Sequence, residues 1–295
     1  MSNGTNGNGH AHQHLSHPVI LTIAGFDPSA GAGVAADLKT IAAHHARGIA
    51  AITALTVQNT KEVKRVEPVS SKLLSETLDA LMEDIHPAAI KIGMLGSVDN
   101  VRAVVAFLEK LPDVPVVLDP VLRATSGAAM LSEKAWKELR AHLLGRVTVV
   151  TPNIEEAAAL AGFPVTNVAE MQHAAAELVA AGAKNAIVTG GHLDKPADVL
   201  FDGTTHTVLP GEKIKSPNTH GTGCAFSTAV AVELAMGRSV MESAVLAKAY
   251  VAQAIERGFA VGAGAGQPHH LYRLEMQMAP RAGGSEPHHM DAGHR

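Results

Sequence analysis

The chain has 295 residues, of which 46% are apolar and only 3% aromatic, with one cysteine and a formal net charge of −4. That length suits two average domains or one large α/β unit, and the Ala, Val, Ile and Leu content favours helices packed on a sheet over an aromatic-rich β sandwich. The acidic balance, the single cysteine, the polar N-terminus and the lack of an apolar run long enough to cross a bilayer argue against a nucleic-acid binder, a disulfide framework and a membrane protein, and fit the cytosol.

Residues 1–17, MSNGTNGNGHAHQHLSH, are rich in Gly, Asn and His, and residues 276–295 are again polar. Neither stretch can bury a core, so both are expected to be disordered tails around a single domain of residues 18–275. His10, His12 and His14 have no second cluster of ligands, which favours a tail over a chelating site. The β-branched run from Val19 to Ala24 predicts a strand, followed by a Gly-rich turn, a helix from about Val34 to Arg47 and a strand from Gly48 to Val57. A helix from about Ser71 to Ile85 leads to AAIKIGM, one from Val98 to Leu111 to VPVVLDP, and one from Ser132 to Leu144 to VTVVTPN. Three short strands, NAIVTGG, DVLFDG and THTVLP, then suggest an antiparallel edge before two closing helices near residues 224–237 and 239–258. His44 and His45 fall in the first helix as surface residues, and Trp136 falls in a later one as a packing residue.

Repeated βα units with buried strands imply a three-layer α/β/α architecture: a mostly parallel central sheet with helices on both faces. In such sheets ligands bind beyond the carboxyl ends of the strands. The residues directly after each strand therefore carry most of the functional interest. The segment NTHGTGC, ending at Cys224, stands where a helix begins. Gly221, Thr222 and Gly223 can fold the backbone tightly so that N–H groups converge at the positive helix end, which makes an anion hole. The same field favours the thiolate of Cys224 and so a base near neutral pH; the alternative is a helix cap followed by an inert, buried thiol. In AGFDPSAGAG the glycines do not space as a dinucleotide fingerprint, and no P-loop occurs, so that turn is either a ligand loop or a locally capped βα turn. In TPNIEEAAALAG, Asn153 and Glu156 stand three apart at a strand end, able to orient a hydrated Mg²⁺ or simply to cap a helix. Asp119, directly after VVL, can hold the same ion or cap a turn. His192 and His220 suit hydrogen-bonded loop positions better than metal ligation.

Taken together, LTIAGFDPSAGAGVAADLKT, ITALTVQNT, KIGMLGS, VVLDPVLRATSG, TPNIEEAAALAG, VTGGH, NTHGTGC and GAGAGQPHH resemble the ribokinase-like superfamily. More closely, they are similar to the hydroxymethylpyrimidine and phosphomethylpyrimidine kinases of thiamine synthesis. The resemblance covers residues 18–272 in family order and implies an ATP- and Mg²⁺-dependent kinase, commonly a homodimer, acting on a small-molecule pyrimidine. It implies that Gly221, Thr222 and Gly223 form the anion hole and that Cys224 is the general base or an organiser of the hydroxymethyl group. Gln58 would hydrogen-bond the pyrimidine, and Gly25, Ala32 and Met94 would line its pocket. Thr189 and Gly191 would meet the nucleotide, while Asn153, Glu156 and Asp119 would orient the metal ion. Three positions depart from the family pattern: Phe26 where Thr or Ser is usual, Ala30 where Gly is usual, and Thr189 in place of a phosphate-neutralising lysine. A pyridoxal kinase of the same fold, and a catalytically silent pyrimidine-binding protein that lost that lysine, are the rival readings.

Overall fold

The computed structural model describes residues 17–124 and 127–278. His10, His12 and His14 and most of both expected tails lie outside the described residues. The strand β1 (Val19–Phe26) buries every residue from Ile20 to Gly25, so both of its faces are covered. Such a strand needs parallel neighbours and helices on either side. They are β2 (Arg47–Gln58) and β4 (Ala89–Ile92), both parallel to β1. The sheet continues through β5 (Val116–Leu118), β6 (Val149–Val150) and β7 (Asn185–Gly190), again in parallel. Antiparallel strands close the two edges: β3 (Val63–Pro68) beside β2, and β8 (Ala197–Phe201) and β9 (His206–Pro210) beyond β7. The strand order is β3-β2-β1-β4-β5-β6-β7-β8-β9.

Alternate residues of these strands feed two separate cores. Leu21, Ile90 and Leu118 face one side, under α2 (Ser71–Met82), α3 (Val98–Leu108), α4 (Glu133–Glu138), α5 (Ile154–Ala161) and α6 (Val168–Ala180). Ile20, Ala89 and Val117 face the other, under α1 (Gly33–Ala43), α7 (Thr222–Ala235), α8 (Val240–Glu256) and α9 (Tyr272–Met278). This is the three-layer α/β/α arrangement expected. α7 is buried along most of its length because it lies in the middle of its layer, between α1 and α8. Trp136 packs on the first core, as expected.

Several boundaries differ from the sequence reading. The first helix stops at Ala43 because His45 takes a left-handed φ of 58°, so the chain turns there. His44 is consequently a cap residue rather than a surface one: it is buried against Tyr250, its ring Nδ1 2.8 Å from the Thr40 carbonyl. The expected helix from Ser132 to Leu144 is α-helical only to Glu138, then loosens into a π turn and a 3₁₀ turn. β3, α6 and α9 were not foreseen, and α9 carries the folded chain to Met278, past the expected boundary at residue 275.

Burial holds the His44 imidazole down at about 4, with the Arg273 charge acting in the same direction, and burial likewise holds His270 at about 4. Below the ordinary histidine value the unfolded chain takes up protons that the folded chain refuses. Stability is therefore expected to fall as the pH drops from about 6.5 towards about 4. Thermal midpoints across that window should decline less steeply in His44→Asn than in the wild type; equal slopes would refute the assignment.

Candidate active site

β1 has β2 on one side and β4 on the other, so the chain reverses its direction of travel across the sheet between β1 and β4. Beyond the carboxyl ends of strands at such a switch point lies the natural crevice of an open α/β sheet. Gly25 is the penultimate residue of β1 there, and Gly93 and Met94 follow β4. A Cβ on Gly25 would lie 2.2 Å from the Met94 methyl, so the glycine makes room for that side chain. Gln58 ends β2 and accepts from Thr56 Oγ1 at 3.1 Å. It lines a cavity of about 300 Å³ together with Thr60, Lys61, Ala124, His220 and Ala265. Phe26 is absent from that lining and remains 36% exposed.

The helix starts are unequal. The first residue before each of α2 to α6 and α8 is a Ser or Asn whose side chain accepts a backbone N–H, the usual way to satisfy the orphan donors of a helix end. α1 and α7 begin at Ala32 and Gly221 with no side-chain cap, and both begin at the crevice. They adjoin: a Cβ on Gly221 would lie 1.9 Å from the Gly31 carbonyl oxygen, and its φ of 87° is left-handed as well. Only glycine fits that position on both counts. Two uncapped helix starts side by side present converging N–H donors and partial positive charge to one anion.

The loop before α1 is locked to the loop before α7. His220 Nε2 lies 2.8 Å from Asp27 Oδ2, and Asp27 also accepts from Ser29 N at 2.8 Å, Ser29 Oγ at 2.7 Å and Ala32 N at 3.0 Å. Burial pushes the Asp27 carboxyl up, but the His220 and Ser29 contacts outweigh it and hold the group below the usual aspartate value. Gln267, from the GAGAGQPHH segment, donates to the Ser29 carbonyl at 2.6 Å. Ala30 takes a left-handed φ of 60°, the conformation that explains why glycine is the expected residue there; its carbonyl accepts from Lys39 Nζ at 2.7 Å.

Beneath the start of α7 lies a buried acidic pair. Asp119 follows β5, with both carboxylate oxygens 3.9 Å from where a Gly223 Cβ would stand, and accepts from Ser227 Oγ at 3.3 Å. Asn153 and Glu156 form the helix cap that was one of the two sequence readings: Glu156 N donates to Asn153 Oδ1 at 3.0 Å and Asn153 N to Glu156 Oε2 at 3.0 Å. The other Glu156 oxygen accepts from Leu122 N at 3.4 Å. Burial and then the neighbouring Asp119 charge push Glu156 up to about 8, and burial raises Asp119 despite the pull of Lys91. Among the described residues no group of three or more His, Cys, Asp or Glu side chains stands ready to hold a metal ion. Thr189, at the end of β7, donates its N–H to the Pro152 carbonyl at 2.9 Å, next to Asn153. Gly191 and His192 are exposed in the turn that follows.

Cys224 departs from the sequence expectation of an easily formed thiolate. Burial pushes the thiol up to about 12; Lys91 pulls it down, but Asp119 and Asp37 push the same way as burial. The Gly33 backbone also pulls the thiol down, and the thiol in turn lowers Asp119. Beside it lies a pair that sequence reasoning missed, Lys91 on β4 and Asp37 on α1, joined by two contacts of 2.9 Å with neither side chain exposed. The available signal was a lone lysine inside the apolar strand AAIKIGM, which can be buried only beside an acid.

Two uncapped helix starts at the crevice of a mostly parallel sheet, with buried acids beneath them and a cavity of about 300 Å³ alongside, fit an enzyme of the ribokinase-like kinase class. A family model described as phosphomethylpyrimidine kinase matches residues 27–269, and the chain belongs to that family. The hydroxymethylpyrimidine/phosphomethylpyrimidine kinase of Rhizobium meliloti is 41% identical over 260 residues, spanning 86% of this chain and 97% of that protein. Among solved structures, an ADP complex of Bacillus subtilis pyridoxal kinase is 35% identical with a TM-score of 0.81, covering 88% of this chain and 100% of the other. A phosphomethylpyrimidine kinase from Clostridium difficile is 36% identical with a TM-score of 0.72, covering 81% and 99%.

Proposed function

We propose that the protein transfers the γ-phosphoryl group of ATP to the hydroxymethyl oxygen of 4-amino-5-hydroxymethyl-2-methylpyrimidine, and then to the resulting monophosphate, for thiamine diphosphate synthesis. The observation that carries this reading is the meeting of the uncapped starts of α1 and α7 at the crevice. Phosphoryl transfer needs an aligned acceptor oxygen and compensation for charge on the phosphoryl oxygens, and little else. The N–H groups of Gly221, Thr222 and Gly223 supply compensation from above. Gln58 holds the ring edge in the cavity, and Gly25, Ala32 and Met94, which do not line that cavity, meet the ring from the strand ends beside it. Thr189 and Gly191 stand on the nucleotide side, where a hydroxyl can hydrogen-bond a phosphate without neutralising it.

Burial raises both Asp119 and Glu156, the Asp119 charge raises Glu156 further, and a cation beside them would offset this, which fits Mg²⁺. With Asn153 they make too few ligands for a bare ion and suit one that keeps its waters. When bound, the ion supplies further charge compensation to the phosphates. Cys224, protonated, orients the acceptor oxygen and, late in the transfer, takes its hydroxyl proton while passing its own S–H proton to the Asp119 carboxylate. The lone unpaired cysteine fits a cytosolic enzyme. Two copies are proposed to pair through β2, where Ile52, Leu55 and Val57 are exposed together with Phe26 of β1.

Incubation with ATP, Mg²⁺ and the hydroxymethylpyrimidine should give monophosphate and then diphosphate by product mass, with ADP release requiring both pyrimidine and Mg²⁺. The pyridoxal kinase neighbour keeps pyridoxal as the second candidate, and a larger kcat/KM for pyridoxal would overturn the pyrimidine reading. Cys224→Ala should lower kcat about a hundredfold with nucleotide affinity retained; wild-type turnover would remove the cysteine from the mechanism. Sedimentation equilibrium should give twice the 30.6 kDa chain mass, and a monomer would refute the pairing.

A further inference from the structure

Lys91 is the buried charge that the transfer chemistry leaves without a role. It stands on β4 in register with Thr22 of β1, on the face covered by α1 and α7, with no exposed surface. Its Nζ donates to both oxygens of Asp37 at 2.9 Å. Asp37 also accepts from Thr22 Oγ1 at 2.6 Å and from Thr228 Oγ1 at 2.8 Å, so four donor contacts surround it. An ion pair this deep is costly, and apolar residues of similar volume often hold helices to a sheet at least as well. Neutralising Asp37 is therefore a weak reason for Lys91 to be there.

Two observations point to the transfer site instead. Against the cost of its burial, Asp37 and then the Cys224 thiol and the Asp119 carboxylate favour the charged form of Lys91. On adjacent residues of α7, Ser227 donates to Asp119 while Thr228 donates to Asp37. The start of α7 is thus tied to the Lys91 charge on two sides. Gly93 keeps the space open, since a Cβ there would lie 2.9 Å from Nζ.

Resting on the kinase reading above, we infer that Lys91 is a positioning residue for phosphoryl transfer: clamped by Asp37, its fixed charge holds Asp119 and Cys224 in place under the anion-binding start of α7. Lys91→Met alone would leave Asp37 buried and unpaired, so its loss of stability says nothing about position. The decisive variant is Lys91→Met/Asp37→Asn, which removes both charges and keeps an amide for Thr22 and Thr228. It should melt well above Lys91→Met and near the wild type. Its kcat should nevertheless fall at least about tenfold, with KM for the pyrimidine within about threefold. Because Cys224 is the only thiol, its alkylation by iodoacetamide gives a second readout, expected to change in rate at least about threefold. A folded double variant with either wild-type turnover or a wild-type alkylation rate would show that Lys91 only neutralises Asp37. Wild-type protein inactive on the pyrimidine would instead refute the function, and the alkylation rate would still decide the role of Lys91.

Discussion

The contact between Lys91 and Asp37 constrains everything around it. Placing an ammonium and a carboxylate inside a sheet-helix interface costs several kcal/mol per ion unless geometry and further hydrogen bonds repay it. Repayment here requires β1, β4, α1 and α7 to meet at one point, because Thr22, Lys91, Asp37 and Thr228 come one from each. With that meeting fixed, α1 and α7 must run side by side, and their starts must adjoin at the same end of the sheet. The meeting of the two helix starts at the crevice thus follows from the same packing that buries the ion pair.

The loops above that point are held by close backbone approach more than by side chains. Gly221 sits against the Gly31 carbonyl, and a Cβ on Gly264 would run into the Thr60 carbonyl. The Asp27–His220 and Gln267–Ser29 hydrogen bonds then join segments 193 and 238 residues apart in the chain. Such contacts explain why the glycine-rich segments look so uninformative one at a time. Their spacing fits no local motif because each glycine answers to a partner from a different segment.

That also separates what was legible in the sequence from what was not. The parallel strands were visible because burial on both faces writes a continuous apolar run, and the helix between Val98 and Leu108 because its apolar face repeats at helical spacing. β3 reads VKRVEP, an exposed edge strand whose charged residues hide the alternation, and it forms because β2 offers it a ladder. His44 was misplaced because its burial depends on Tyr250, which arrives from a helix two hundred residues later. Asn153 and Glu156 were legible as a pair, and the structure shows the capping arrangement that spacing allowed. The coupling of Glu156 to Asp119 was not legible, since it depends on β5 and β6 ending side by side.

Cys224 shows most clearly how local and tertiary electrostatics part company. From sequence, a thiol at a helix start sits in a positive field and should ionise readily. In the fold burial, joined by the Asp119 and Asp37 carboxylates, outweighs the pull of Lys91 and of the Gly33 backbone. A neutral thiol is the more useful group at this position. A thiolate would add negative charge where phosphoryl oxygens gather and would compete with the acceptor oxygen as a nucleophile. A neutral thiol does neither, and on the proposed mechanism the Gly221–Gly223 backbone at the uncapped start of α7 takes the anion. On that proposal the helix start keeps its positive field for the phosphate because the cysteine stays neutral.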